Sequence, residues 1–170
     1  MRKAGTFLLF SIFLIFVIAV GWALARAYGN PSILYIAAGF ALVMNVIAYW
    51  FSDKLVLKMS GAKPASRKDY PEFYEIIEEL ADKSGLPVPK LYVISAEQPN
   101  AFATGRSPKH SAVAVTTGIL NKLNREEISG VLAHEMAHIK NKDMLVATAA
   151  VVLAGFIAIL SDFFMRSLFF

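Results

Sequence analysis

No charged residue interrupts the chain between Ala4 and Ala25, and none interrupts it between Ala27 and Ser52. Each run is long enough to cross a hydrocarbon layer of roughly 30 Å at about 1.5 Å per helical residue. In that layer backbone N–H and C=O groups have to be paired within the segment, so each run is predicted to be helical. The first run is longer than the apolar stretch of about 7–15 residues in a cleavable signal peptide. Arg26 and the turn residues Gly29, Asn30 and Pro31 separate the two runs, which makes residues 1–52 a transmembrane hairpin. Tyr49, Trp50 and Phe51 close the second run where an interfacial aromatic belt sits.

The remaining charges set the orientation. Arg2 and Lys3 precede the hairpin, and between Asp53 and Lys68 five basic residues (Lys54, Lys58, Lys63, Arg67, Lys68) meet one acid. The connecting turn carries only Arg26, so the positive-inside rule places both ends of the hairpin, and the polar residues that follow, in the cytoplasm. The basic segment reads either as a strip attracted to anionic head groups or as a solvated linker. The net charge of +4 is local to that segment and is not interleaved with exposed aromatics, which argues against a nucleic-acid partner. Hydrophobic residues make up 56% of the chain and charged ones 18%, a balance that fits a membrane protein rather than a soluble domain. Cysteine is absent, so any transition-metal ligands are nitrogen or oxygen donors.

Residues 53–143 have the periodicities of a small α/β domain. Phe73, Ile76, Ile77 and Leu80 recur at helical spacing, with Pro71 suited to the first turn and Gly85 to a C-terminal cap. KLYVIS and SAVAVTT have the β-branched content of strands, and ATGRSPKH between them is rich in turn residues. Asn124 followed by Glu127 matches a capping box, with Ile128, Val131 and Leu132 just beyond, so a second helix starts there. After Asp143 no charge appears until Asp162. This run, at the lower limit of a span, reads as a third transmembrane helix over residues 144–170 or as a buried core helix. The expected class is an α+β membrane protein: an N-terminal helical hairpin, a cytoplasmic α/β domain and a third transmembrane helix.

The second soluble helix carries HEMAH, residues 134–138. Four residues advance a helix by about 400°, so His134 and His138 project from nearly the same face and can reach one metal ion at about 2.0–2.1 Å. Glu135 lies about 100° round from His134, where it can reach a water on the same metal and serve as general base. Two histidines at this spacing are also found as an ordinary polar pair, and context has to decide. Here the motif uses two of three histidines and sits on a helix with its own start signal.

The stretch GVLAHEMAHIKNKDMLVATAA, preceded by PNAFATGR, SAVAVTTGIL and a membrane hairpin, resembles the HtpX-like membrane zinc metalloproteases, relatives of the CAAX prenyl proteases. The resemblance covers the chain from its first apolar run to Phe170. It implies a zincin-like domain with Zn2+ as cofactor, His134 and His138 as its ligands and Glu135 as the catalytic base. It extends to Asn141 and Asp143, which would support the ligands rather than bind the metal. Asp143 stands about 140° past His138 on a regular helix, which fits a supporting or helix-end role, or else a plain membrane-boundary charge. The resemblance further implies that Asn100, Ala101, Phe102, Ala103 and Thr104 form an edge strand to which a substrate backbone adds by β-augmentation. On composition alone the same residues read as a hairpin loop.

The activity so implied is endopeptidase cleavage of misfolded or damaged membrane proteins at the cytoplasmic face of a prokaryotic plasma (inner) membrane, a quality-control and stress-response role. Its partners would be polypeptide substrates and the lipid bilayer. A peptidase zinc site takes three protein ligands, and the resemblance places the third, a glutamate, beyond Phe170. Glu126 and Glu127 lie about 10 Å or more along the helix from His134 and cannot supply it, while Glu97, His110 and Asp162 have no motif support. The alternative function is a non-catalytic, membrane-anchored substrate-binding protein.

Overall fold

The computed structural model describes residues 2–169. The chain divides into two compact units, Met1–Ser52 with Ala149–Phe170, and Asp53–Thr148.

The first unit holds helix α1 (Arg2–Tyr28), most of helix α2 (Ser32–Met59) and the larger part of helix α6 (Met144–Phe169). α1 and α2 are long and apolar enough to cross a membrane. Between them Gly29 takes a left-handed φ of 61° and the Asn30 side chain accepts from the Ser32 N–H at 3.0 Å, so a short turn reverses the chain. With no hydrophobic drive between helices in lipid, close contact rests on small residues and interhelical hydrogen bonds. Both are present: a Cβ at Gly21 would collide with that of Ala37, and the Asn45 amide donates to the Phe10 carbonyl at 3.2 Å. Phe7, Ile15, Tyr35 and Ile36 are exposed, as side chains that face lipid are.

The second unit is built on a four-stranded sheet of order β1-β2-β4-β3, with β1 (Lys63–Pro64), β2 (Lys90–Ile94), β3 (Ala101–Gly105) and β4 (Ser111–Thr116). β2 and β4 run parallel, and β1 and β3 are antiparallel to their neighbours. One sheet face presents Leu91, Val93, Val113 and Val115 to α3 (Pro71–Ser84) and α5 (Arg125–Asn141), whose Phe73, Ile76, Ile77, Ile128, Leu132, Met136 and Ile139 complete the core. Burying each Phe or Ile there contributes roughly 1.5–3 kcal/mol. The other face packs Ala112, Ala114, Tyr92 and Phe102 on Leu57, near the end of α2. The strand Ser111–Thr116 is therefore buried on both sides.

α3 forms as its periodicity predicts, with Pro71 in its first turn and Gly85 as a left-handed cap at φ 69°. α5 begins with a full capping box, the Asn124 side chain accepting from the Glu127 N–H at 3.0 Å and the Glu127 carboxylate accepting from the Asn124 N–H at 2.9 Å. Arg125 joins the two helices, reaching Glu79 at 2.7 Å and Glu75 at 3.1 Å. The Glu75 hydrogen bond raises its guanidinium above the ordinary value.

Three elements depart from the expectation read off composition and periodicity alone. ATG of the turn-rich stretch ATGRSPKH continues strand β3 through Gly105, because Ala103, Thr104 and Gly105 pair with Val113, Ala112 and Ser111. A short helix, α4 (Thr117–Lys122), follows β4 directly, its first turn capped by the Thr116 hydroxyl. α2 continues past the aromatic belt to Met59, so Lys54 and Lys58 are helical rather than part of a linker.

The connection from β2 to β3 is held by the last residue of β4 and the first of α4. The Thr116 hydroxyl donates to the Gln98 carbonyl at 2.9 Å and accepts from the Asn100 N–H at 2.9 Å, and the Thr117 hydroxyl donates to the Ala96 carbonyl at 3.0 Å. Gly118 leaves no room for a side chain, since a Cβ there would strike the Glu97 carbonyl. A backbone carbonyl cannot step aside as a side-chain end can, so Gly118→Ala is expected to cost about 1–3 kcal/mol. Chemical denaturation in detergent micelles should show that loss as a lower midpoint.

Candidate active site

The rotation of α5 decides what its polar residues face. Ile128, Leu132, Met136 and Ile139 form the stripe buried against the sheet. At about 100° per residue, His134 and His138 then fall on the far side of the helix and Glu135 on its flank, roughly 60° from the stripe. His134 is exposed, while Glu135 and His138 are half-buried.

The two imidazoles converge, with their Nε2 atoms 3.2 Å apart and their rings edge to face. Two nitrogens sharing a tetrahedral zinc at about 2.0–2.1 Å lie about 3.3 Å from each other, so the separation of this pair is that of two ligands of one zinc ion. Among the described residues no third His, Cys, Asp or Glu joins them. Of the acids and histidines with no motif behind them, His110 is held locally by Ser107 at 3.0 Å and the Glu97 carbonyl takes the Lys122 ammonium at 2.9 Å.

The end of α5 brings Asp143 back to the pair. Lys142 adopts a left-handed conformation at φ 56°, the one positive φ of a non-glycine residue among the described residues. Such a conformation costs roughly 1–2 kcal/mol for a residue with a Cβ. It ends the helix in a reversing turn, in which the Lys142 N–H donates to the Ile139 carbonyl at 3.1 Å. The turn carries Asp143 off the helix path, so the 140° offset of a regular helix does not apply. Asp143 Oδ1 lies 3.0 Å from His138 Nδ1, and both side chains are 43% exposed. A carboxylate only accepts, so Nδ1 carries the proton and the Nε2 lone pair of His138 is turned toward His134.

β3, at the end of the sheet, lies beside the same helix. The Ala103 N–H donates to Glu135 Oε2 at 2.8 Å. Thr104 is fully buried, with its hydroxyl 3.1 Å from that of Thr148 in α6. The Thr148 hydroxyl donates to the Met144 carbonyl at 2.8 Å, which leaves Thr104 as donor to Thr148.

The residues singled out in the sequence thus separate into groups. His134 and Asp143 both meet His138, and Glu135 meets the backbone of Ala103. Phe102 turns its side chain to the opposite sheet face, Asn100 anchors its backbone to Thr116 just before β3, and Asn141 is the exposed last residue of α5. Thr148 and the Ala103 N–H had no signature in the sequence, because a hydroxyl in an apolar run and a backbone amide are recognised only by what they touch.

Removing the Asp143 carboxylate should free the His138 ring to rotate and change tautomer. Asp143→Ala is expected to weaken zinc binding by about 10–100-fold, read by competition with a chromogenic chelator.

Comparison with known proteins finds relatives of this chain. The pattern of Peptidase family M48 matches residues 67–168. An HtpX homolog protease of Aquifex aeolicus is 54% identical over 148 residues, 87% of this chain and 49% of that protein. One of Thermodesulfovibrio yellowstonii is 49% identical over 162 residues, 95% of this chain and 56% of that protein. One of Ralstonia nicotianae is 46% identical over 158 residues, 93% and 54% respectively. The chain therefore spans about half the length of the curated relatives it matches. Among solved structures, the crystal structure of S. mikatae Ste24p superposes with a TM-score of 0.50 at 20% identity, covering 85% of this chain and 35% of that one, a likeness of fold.

Proposed function

Because the chain belongs to Peptidase family M48, a family of zinc-dependent peptidases, we propose that it carries the catalytic helix of a membrane-anchored endopeptidase that cleaves misfolded or damaged membrane proteins. The observation that supports this most directly is the 3.2 Å approach of His134 and His138 Nε2 on one helix, with Glu135 between them in sequence.

In this reading His134 and His138 hold Zn2+, which when bound acidifies a water and polarises a substrate carbonyl. Asp143 keeps the proton on His138 Nδ1 and so keeps Nε2 free to ligate. Glu135 takes the proton that the nucleophile releases and hands it to the leaving amine. A substrate backbone lies along β3, where main-chain pairing tolerates many sequences, as quality control demands. A peptidase site takes a third protein ligand beside these two histidines. Asn141, at the end of α5, would steady the ligand helix.

Arg2, Lys3 and the basic residues from Lys54 to Lys68 favour a position of the second unit on the cytoplasmic side of a prokaryotic plasma membrane. α6 follows as a third span.

Glu135→Gln keeps the shape and both histidines but removes the base. It is expected to retain zinc while losing casein cleavage by about 100-fold or more. Stoichiometric zinc with undiminished cleavage in this variant would reject Glu135 as the base. Polypeptide binding with neither zinc nor cleavage in the unaltered protein would favour a non-catalytic substrate-binding role.

A further inference from the structure

Thr116 donates its N–H to the Asn100 carbonyl at 2.9 Å, which sets the phase of the β3–β4 ladder. Backbone groups alternate in an antiparallel pair, so Phe102 and Thr104 turn theirs toward β4 while Ala101 and Ala103 turn theirs to the open side. That open side is the one a further strand would pair with. Its Ala103 N–H is engaged by Glu135 Oε2 at 2.8 Å. Ala101 and Ala103 carry only methyl groups where the strand packs on the core beneath α5, and this small size lets helix and strand approach closely enough for the bond.

We propose that the Ala103 N–H is a positioning group for Glu135. It holds Oε2 through a charge-assisted bond, fixes the rotamer of a side chain that otherwise turns freely, and leaves Oε1 to receive the proton. The same bond withdraws the Ala103 donor from an incoming strand. The substrate backbone must then pair in a register that leaves this N–H to the base, so one contact sets both the aim of the carboxylate and the alignment of the substrate. The functional half of the proposal rests on the peptidase reading above, whereas the contact itself does not.

Two measurements on the zinc-loaded protein in detergent micelles test it. The first is amide exchange by NMR: the Ala103 amide should be protected, and Glu135→Ala should accelerate its exchange about tenfold, with Glu135→Gln between the two. The ladder amide of Phe102 should not respond. The second uses a fluorogenic peptide. Ala103→Pro deletes the N–H on the open side without removing a ladder bond. It should lower kcat about tenfold with KM changed by less than about twofold, and Ala103→Gly, which keeps the donor, should recover kcat. Exchange at Ala103 that ignores Glu135→Ala overturns the proposal. So does a loss of kcat that Ala103→Gly shares, or one that only follows a lowered melting temperature. If the unaltered protein cleaves nothing while Ala103 exchange still depends on Glu135, the peptidase reading fails and the contact stands.

Discussion

The site depends on the burial of one stripe of α5. Ile128, Leu132, Met136 and Ile139 lock the helix against the sheet, and that locking fixes its rotation. A turn of about 100°, one residue's worth, would carry His134 and His138 away from their present outlook and Glu135 away from β3. The capping box at Asn124 and the Arg125 bridges to α3 act at the start of the helix, where they set its beginning rather than its rotation. Ion pairs as exposed as these contribute little beyond that.

Legibility from sequence followed the range of the forces involved. α1 and α2 could be read because an unbroken apolar run in hydrocarbon has few alternatives to helix. α3 and α5 could be read because caps and periodic burial act within a few residues. Ala103, Thr104 and Gly105 have weak strand preference, and they are extended because β4 pairs with them across the sheet. α4 is six residues long, too short for a periodic pattern, and its cap comes from a strand residue. Among the site residues, the His134, Glu135 and His138 pattern was evident at once, since helical geometry alone brings the two rings together. Asp143 was recognised, but by a helix path it does not follow, because nothing in a lysine announces the left-handed turn at Lys142.

The second unit also shows how the strand at the end of the sheet, β3, is kept in place. Thr116 and Thr117 hold the approach to β3, Glu135 holds its middle and Thr148 holds Thr104. Of these contacts only the Glu135 bond takes a backbone group of the open side, while the others hold the strand's path and its Thr104 side chain. A free edge is a liability for aggregation. Restraint from α5 and from Thr148 near the start of α6 limits the risk while leaving the strand accessible.

Lys142 is the whole connection between α5 and the residue that supports His138. The path is so short that it contains no slack. One residue added there would let the helix run on and swing the aspartate out of reach, and one removed would pull it past the imidazole. Among descendants of this sequence, the boundary between these two helices should therefore accept changes of side chain, glycine or asparagine above all, yet keep its length unaltered, so that the spacing from histidine to aspartate behaves as a fixed measure of the lineage.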